Sequence, residues 1–229
     1  YQGNAETVRT LLEAGARPDA RADDGRTALM HAAGWGDVAR VQTLLDPALL
    51  GKAGVDAGRL VNMSVPEGGW TALMFASASG DVASVRALLS AGADVDARNK
   101  WRQTALMAAS RSGNAEKVRA LLGAGAHADA RDNESNTALG VASASEVGPE
   151  VLTALLEAGA AVDAADFEGV TPLMKAAHRG DARQIDALLA KGASTSAKDA
   201  NGWTARDWAL SRNDELAPTI AARLDAAGK

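Results

Sequence analysis

The feature that most constrains this chain is a repeat. Threonines stand at Thr27, Thr71, Thr104, Thr137, Thr171 and Thr204, at intervals of 44, 33, 33, 34 and 33 residues. Leucine pairs keep step with them at Leu11-Leu12, Leu44-Leu45, Leu88-Leu89, Leu121-Leu122, Leu155-Leu156 and Leu188-Leu189. A period of this length means a stack of like supersecondary units, each too small to bury its own apolar face and therefore dependent on its neighbours. Two irregularities interrupt it: eleven extra residues after Leu45 and one between Thr137 and Leu155.

Each unit reads as turn, helix, tight turn, helix. In Thr27-Ala28-Leu29-Met30-His31-Ala32-Ala33 the threonine is an N-cap, and Leu29, Ala32 and Ala33 form one apolar stripe. Gly36 stops that helix and Asp37 caps a second, whose Val38, Val41, Leu44 and Leu45 share a face. The same grammar recurs at Gly80-Asp81, Gly113-Asn114 and Gly180-Asp181. A glycine follows every leucine pair but Leu44-Leu45, at Gly15, Gly92, Gly125, Gly159 and Gly192, where a left-handed residue releases the chain. The polar stretch beyond, such as Asp94 to Thr104, is long enough to project as a hairpin-like finger. Composition agrees, since 53 of the 229 residues are alanine and there are only 5 Trp, 2 Phe and 1 Tyr. Small side chains let short helices stack closely.

This pattern resembles the ankyrin repeat over essentially the whole chain. The residues that carry the likeness are the Asp-x-x-Gly-x-Thr start seen from Asp166 and Asp199, the Ala-Ala-x-x-Gly-Asp link, and the Leu-Leu-x-x-Gly-Ala-Asp-Val ending of Leu88 to Val95. Where the family usually has Thr-Pro-Leu-His, this chain mostly has Thr-Ala-Leu-Met, with methionine at Met30, Met74, Met107 and Met174 and proline only at Pro172. Flexible apolar packing is expected to replace the histidine's hydrogen bonds. Such units are similar to prokaryotic, hence bacterial, repeats. The resemblance implies an all-α solenoid of stacked helix-turn-helix units with projecting fingers. Its divisions are a partial first repeat at 1–22, a repeat at 23–61 with an insertion at about 46–65, repeats at 62–97, 98–130, 131–164 and 165–197, and a capping repeat at 198–229.

A shift of one period aligns Tyr1 with the end of a first helix. Val8, Leu11 and Leu12 then lack an intra-repeat partner, and the natural polypeptide is expected to extend upstream. At the other end, Thr204 to Leu224 reads as a last helix pair, with Gly228-Lys229 where a repeat would stop. In the insertion, Asp46-Pro47-Ala48-Leu49-Leu50-Gly51 reads as cap, N1 proline, one apolar turn and stop. Val61 to Gly69 reads as an enlarged finger leading to Trp70. This element is either a partner contact or a loop that covers its own apolar residues.

Most chemistry is excluded. The absence of cysteine removes disulfides, Cys-ligated metals and thiol catalysis. A net charge of −5 disfavours nucleic acid, and no apolar run suits membrane insertion. His31 and His178 lie four repeats apart, roughly 40 Å at about 10 Å per stacked helix, too far to share a metal. His127 reads as an exposed turn residue. The carboxylates Asp23-Asp24, Asp132 with Glu134, and Asp166 with Glu168 read as turn formers at finger tips, outside any enclosed pocket. The glycines lack a strand-glycine-helix context for phosphate. No catalytic residue, metal site or cofactor is expected, and the chain is read as a non-enzyme; an enzyme is the remote alternative.

What remains is recognition by surface. The resemblance implies protein binding through a concave face of finger tips and first helices. The tips hold Arg26, Trp70, Arg98, Lys100, Trp101, Arg102, Phe167 and Trp203; the first helices hold His31, Trp35, Phe75, Lys175, His178, Arg179 and Trp208. All tryptophans and phenylalanines thus fall at contact positions, and Tyr1 does not. Tryptophan and arginine dominate binding hot spots. The candidate partner-binding set is Trp35, Trp70, Phe75, Lys100, Trp101, Arg102, Phe167, His178, Arg179 and Trp203. The basic finger of Arg98, Lys100 and Arg102 lies beside the acidic fingers of Asp132-Glu134 and Asp166-Glu168, which suits a protein partner. The expected function is a non-catalytic protein-protein interaction module or scaffold. The alternative is a permanent structural subunit of a larger multiprotein complex. Partner identity and compartment, cytoplasm or periplasm, stay open.

Overall fold

A computed structural model describes residues 4–228; Tyr1 and Lys229, which figure in the reading of the two ends, lie outside the described residues. Six first helices stack in chain order: α2 (Ala28–Trp35), α6 (Ala72–Ser79), α8 (Ala105–Ser112), α10 (Ala138–Ser143), α12 (Pro172–Arg179) and α14 (Ala205–Leu210). Behind them runs a second layer of α1 (Ala5–Glu13), α3 (Val38–Leu44), α7 (Val82–Ser90), α9 (Ala115–Gly123), α11 (Pro149–Glu157) and α13 (Ala182–Ala190), which α15 (Ala217–Ala227) follows by packing on α14. The result is an all-α solenoid.

The threonines start the first layer as their spacing predicts. Each Oγ1 accepts the N–H three residues on, at 3.2–3.4 Å, from Met30 through Asp207. Asp37, Asp81, Asn114 and Asp181 cap second helices in the same way. The methionines do more than fill space. Met30 Sδ and Met174 Sδ accept the Thr27 and Thr171 N–H groups at 3.4 Å, closing a reciprocal cap with a sulfur acceptor. Gly140 occupies that column in α10, the fourth first helix, and the room it leaves admits Lys175 Nζ.

One glycine behaves differently from its sequence analogues. Gly36, Gly113 and Gly180 end their helices in the left-handed conformation, but Gly80 is extended. A Cβ at Gly80 would overlap the Ala33 carbonyl oxygen of the preceding repeat, so close backbone approach, not positive φ, requires glycine there.

The insertion also departs from the sequence reading. Asp46 caps a helix with Pro47 in its first turn, as expected. That helix, α4 (Pro47–Ala53), runs past Gly51 and ends at left-handed Gly54. A further helix, α5 (Ala57–Val61), precedes the finger. Leu49, Leu50, Leu60 and Val61 are buried, and α4 packs on α1 and α3. The α4 part of the insertion therefore joins the second-helix layer, whereas Val65 belongs to the finger and its N–H donates to the Trp70 carbonyl.

Adjacent repeats are joined by buried polar side chains at one slot of the second helices. Lys117 Nζ donates to the Ser77 carbonyl at 3.1 Å, and Gln184 Nε2 donates to the Val147 carbonyl at 2.8 Å. Burial lowers the Lys117 pKa against the opposing attraction of Asp81.

Candidate functional site

The finger tips are built on one repeated turn. Its base is an Asn or Asp whose Oδ1 accepts two backbone N–H groups of its own finger. Asn99 takes those of Trp101 and Gln103; Asp132, Asp166 and Asp199 take the equivalent pairs. These acids are turn formers, as the sequence reading has it. Two residues before each threonine the backbone turns left-handed, at Gly25, Gly69, Gly169 and Gly202, but also at Arg102 and Ser135, each with φ 61°.

From the third finger onward, a single main-chain bond ties each tip to the one before. Lys100 donates to the Gly68 carbonyl, Asn133 to Trp101, Phe167 to Glu134 and Ala200 to Glu168, at 2.8–3.1 Å. The tips thus form a staircase beside the first helices.

The candidate residues fall into distinct groups on this face. Trp101, Phe167 and Trp203 stand on separate fingers, 44%, 68% and 43% exposed. Lys100 Nζ lies 4.5 Å from the Trp101 ring centroid. Exposed Arg102 makes no side-chain hydrogen bond or ion pair with the described residues. Trp70 and Phe75 are half-buried against the core, their rings 5.2 Å apart, with the Arg26 guanidinium 4.4 Å over Phe75. His178 is exposed and meets Trp208 edge to face, and Trp208 meets Trp203. Trp208 donates its indole N–H to Asp199 Oδ2 at 3.0 Å, fixing it to the last finger. Burial raises the Asp199 pKa, but the Trp203 N–H and the Trp208 indole outweigh it and hold the carboxyl low. Arg179 lies 3.8 Å from Glu146. Lys175 is held between Asp166 Oδ2 at 2.8 Å and Asn136 Oδ1 at 2.6 Å.

At the N-terminal end Trp35, 58% exposed, stacks near His31 and Arg40 and lines a groove of about 340 Å³ with Val8 and Leu11. His31, placed by the sequence among the first-helix residues of the contact face, instead lies largely covered with Nε2 3.4 Å from Asp24 Oδ2. His127 is exposed as expected, and its ring pairs with Asp96 of the preceding repeat.

Sequence reasoning missed Arg111 and Lys117. Seven residues after the six threonines stand Gly34, Ala78, Arg111, Ala144, His178 and Ser211. Arg111 is the one long cation in that column, and it is exposed between two hollows of the finger face. Lys117 shares its column with Arg40, Ser84 and Gln184, a polar slot among apolar neighbours. Among the described residues no group of three or more His, Asp or Glu is placed to hold a metal, and no helix is long and apolar enough to cross a membrane.

A family model described as ankyrin repeats (3 copies) matches residues 1–99 and 95–166, and one described as ankyrin repeats (many copies) matches residues 155–209. Comparison with curated proteins gives no match.

Proposed function

Because the chain belongs to the ankyrin-repeat family, whose repeats generally serve as protein-protein interaction modules, we propose that it is a non-catalytic binder that engages a protein partner through its finger tips and first helices. The carrying observation is the row of exposed rings at Trp101, Phe167 and Trp203 on separate fingers. A large ring held in water by a rigid turn gives up apolar area to a partner at little entropic cost. The flanking charges set orientation and encounter rate. The remaining candidates, Trp35, Trp70, Phe75, Lys100, Arg102, His178 and Arg179, extend the same surface toward either end.

The experiment is affinity capture from the native extract beside a Trp101→Ala/Phe167→Ala variant, with direct binding measured on the captured protein. Both rings are exposed, so the variant keeps its fold. Loss of a partner in the variant supports the reading. Equal binding by both proteins removes those rings as the contact, and the absence of any captured protein refutes the reading.

The N-terminal groove favours a second reading, a permanent subunit of an assembly. Leu11 is 55% exposed there beside Trp35, an apolar surface of the kind that obligate interfaces cover. Lone behaviour separates the two: a reversible binder stays monomeric and folded by itself, whereas an obligate subunit self-associates or loses stability without its partner.

A further inference from the structure

Two neighbouring hollows of the finger face share Arg111. The first, of about 260 Å³, lies between the third and fourth repeats. Trp70 forms one wall and the buried Met74 and Met107 form the floor. The hollow exists because the first-helix slots there hold Ala78 and Ala108. Phe75 and Trp208 occupy the slot of Ala108 in other repeats. The volume is below the roughly 300–1,000 Å³ of sites for drug-sized ligands and suits one large side chain.

The second hollow, of about 530 Å³, is open and polar, lined by Glu134, Glu168 and Phe167. Lys175 adds no free positive charge, because Asp166 pairs with it in the space left by Gly140. Glu134 receives one bond, from Asn136 at 3.3 Å, and Glu168 forms no ion pair with the described residues. Arg111 stands between the hollows, also without an ion-pair partner among the described residues. The surface therefore reads, along the solenoid, apolar, positive, negative. Glutamates so close to the arginine oppose a polyphosphate.

The third finger, beside the first hollow, also departs from most others. Its tip carries Arg102 with φ 61°, in a slot that is glycine in four other fingers. Held left-handed, Arg102 and Ser135 each carry a free-energy cost that glycine avoids in the other fingers.

Resting on the protein-binding reading, we infer that this surface takes an extended segment of a partner protein with a three-part pattern. A large aliphatic or aromatic side chain sits between Trp70 and Met107, a carboxylate faces Arg111, and a lysine or arginine faces Glu134 and Glu168. The hollows are centred about two repeats apart, which is ~16–20 Å at the usual helix spacing. At about 3.3 Å per extended residue the basic side chain lies about five or six positions from the apolar anchor, in either chain direction, with the acid between them.

The test is selection of random twelve-residue phage-displayed peptides on the immobilised protein, followed by affinity measurement of an enriched peptide. The expected result is enrichment of the apolar, acidic, basic pattern at that spacing. Ala108→Phe, which copies the Phe75 slot and so keeps the fold, fills the first hollow and weakens binding at least about tenfold. Arg111→Glu weakens it similarly, and exchanging the peptide's acid for lysine restores binding to that variant. Peptides that lose binding to Trp101→Ala but ignore Ala108→Phe and Arg111→Glu overturn this inference and leave the protein-binding reading standing. Failure to enrich any sequence, or enrichment of a pattern without the acid, also overturns it. The protein-binding reading fails separately, by the absence of any captured protein; capture unchanged in the exposed-ring variant removes only those rings as the contact.

Discussion

Arg102→Gly is expected to make the protein more stable while making it a poorer binder. Arg102 has φ 61°, and a side chain in that conformation costs about 1–2 kcal/mol. Glycine removes that cost but adds freedom to the unfolded chain worth about 0.5–1 kcal/mol. The guanidinium makes no hydrogen bond or ion pair with the described residues, so truncation loses no such contact. The net gain is about 0.5–1 kcal/mol, which for a chain of this size raises Tm by about 1–4 °C. Gly202→Ala is the mirror control: Gly202 has φ 81° and open space around its missing Cβ, so alanine there adds only backbone strain and lowers Tm by a similar amount. Thermal unfolding followed by far-ultraviolet circular dichroism reads both. An unchanged or lower Tm for Arg102→Gly, with Gly202→Ala behaving as stated, would refute the strain argument. A gain in Tm accompanied by weaker partner binding ties the strain to recognition.

Further outcomes follow from the packing. Leu11→Ser at the exposed N-terminal groove changes stability by less than about 0.5 kcal/mol, whereas Leu44→Ala, in the core, costs about 2–5 kcal/mol in urea unfolding. Lys117 has a pKa below the ordinary 10.5, so between its folded value and 10.5 the unfolded chain binds more protons. Wild type should therefore gain stability over Lys117→Gln as pH rises through that window, and a pH-independent difference would contradict it. Asp207 is held low by its bonds from the Thr204 hydroxyl and N–H, at 2.7 and 2.8 Å. Asp207→Ala costs about 1 kcal/mol at neutral pH, and that cost fades as acid protonates the wild-type carboxyl through its lowered folded pKa; acid titration of unfolding in both proteins checks it.

Local chemistry was legible because capping is decided within a turn of sequence. A threonine before Ala-Leu-Met and an aspartate after glycine each satisfy helix-end N–H groups without help from elsewhere, so the layers could be written down residue by residue. What escaped depends on neighbouring repeats. Gly80 shares its sequence context with Gly36, yet the Ala33 carbonyl sets its conformation from the preceding repeat. The short helix Ala57–Val61 owes its place to burial of Leu60 and Val61, which no local period announces. At the candidate site the exposed rings could be placed from their column, but the hollow between Trp70 and Met107 could not. It is made by what Ala78 and Ala108 leave out, and a missing side chain is visible only once the columns are stacked.

The staircase of single bonds between finger tips gives this surface the character of a ruler. Because each tip from Lys100 to Ala200 is pinned to its predecessor by one main-chain bond, the contacts are graduated at the repeat pitch, whatever side chains they carry. Removing one whole repeat would leave every individual contact chemically intact and move all later ones by a single graduation. A partner that tolerates substitution at any one finger would then still distinguish arrays of different length, since what it measures is the interval between marks.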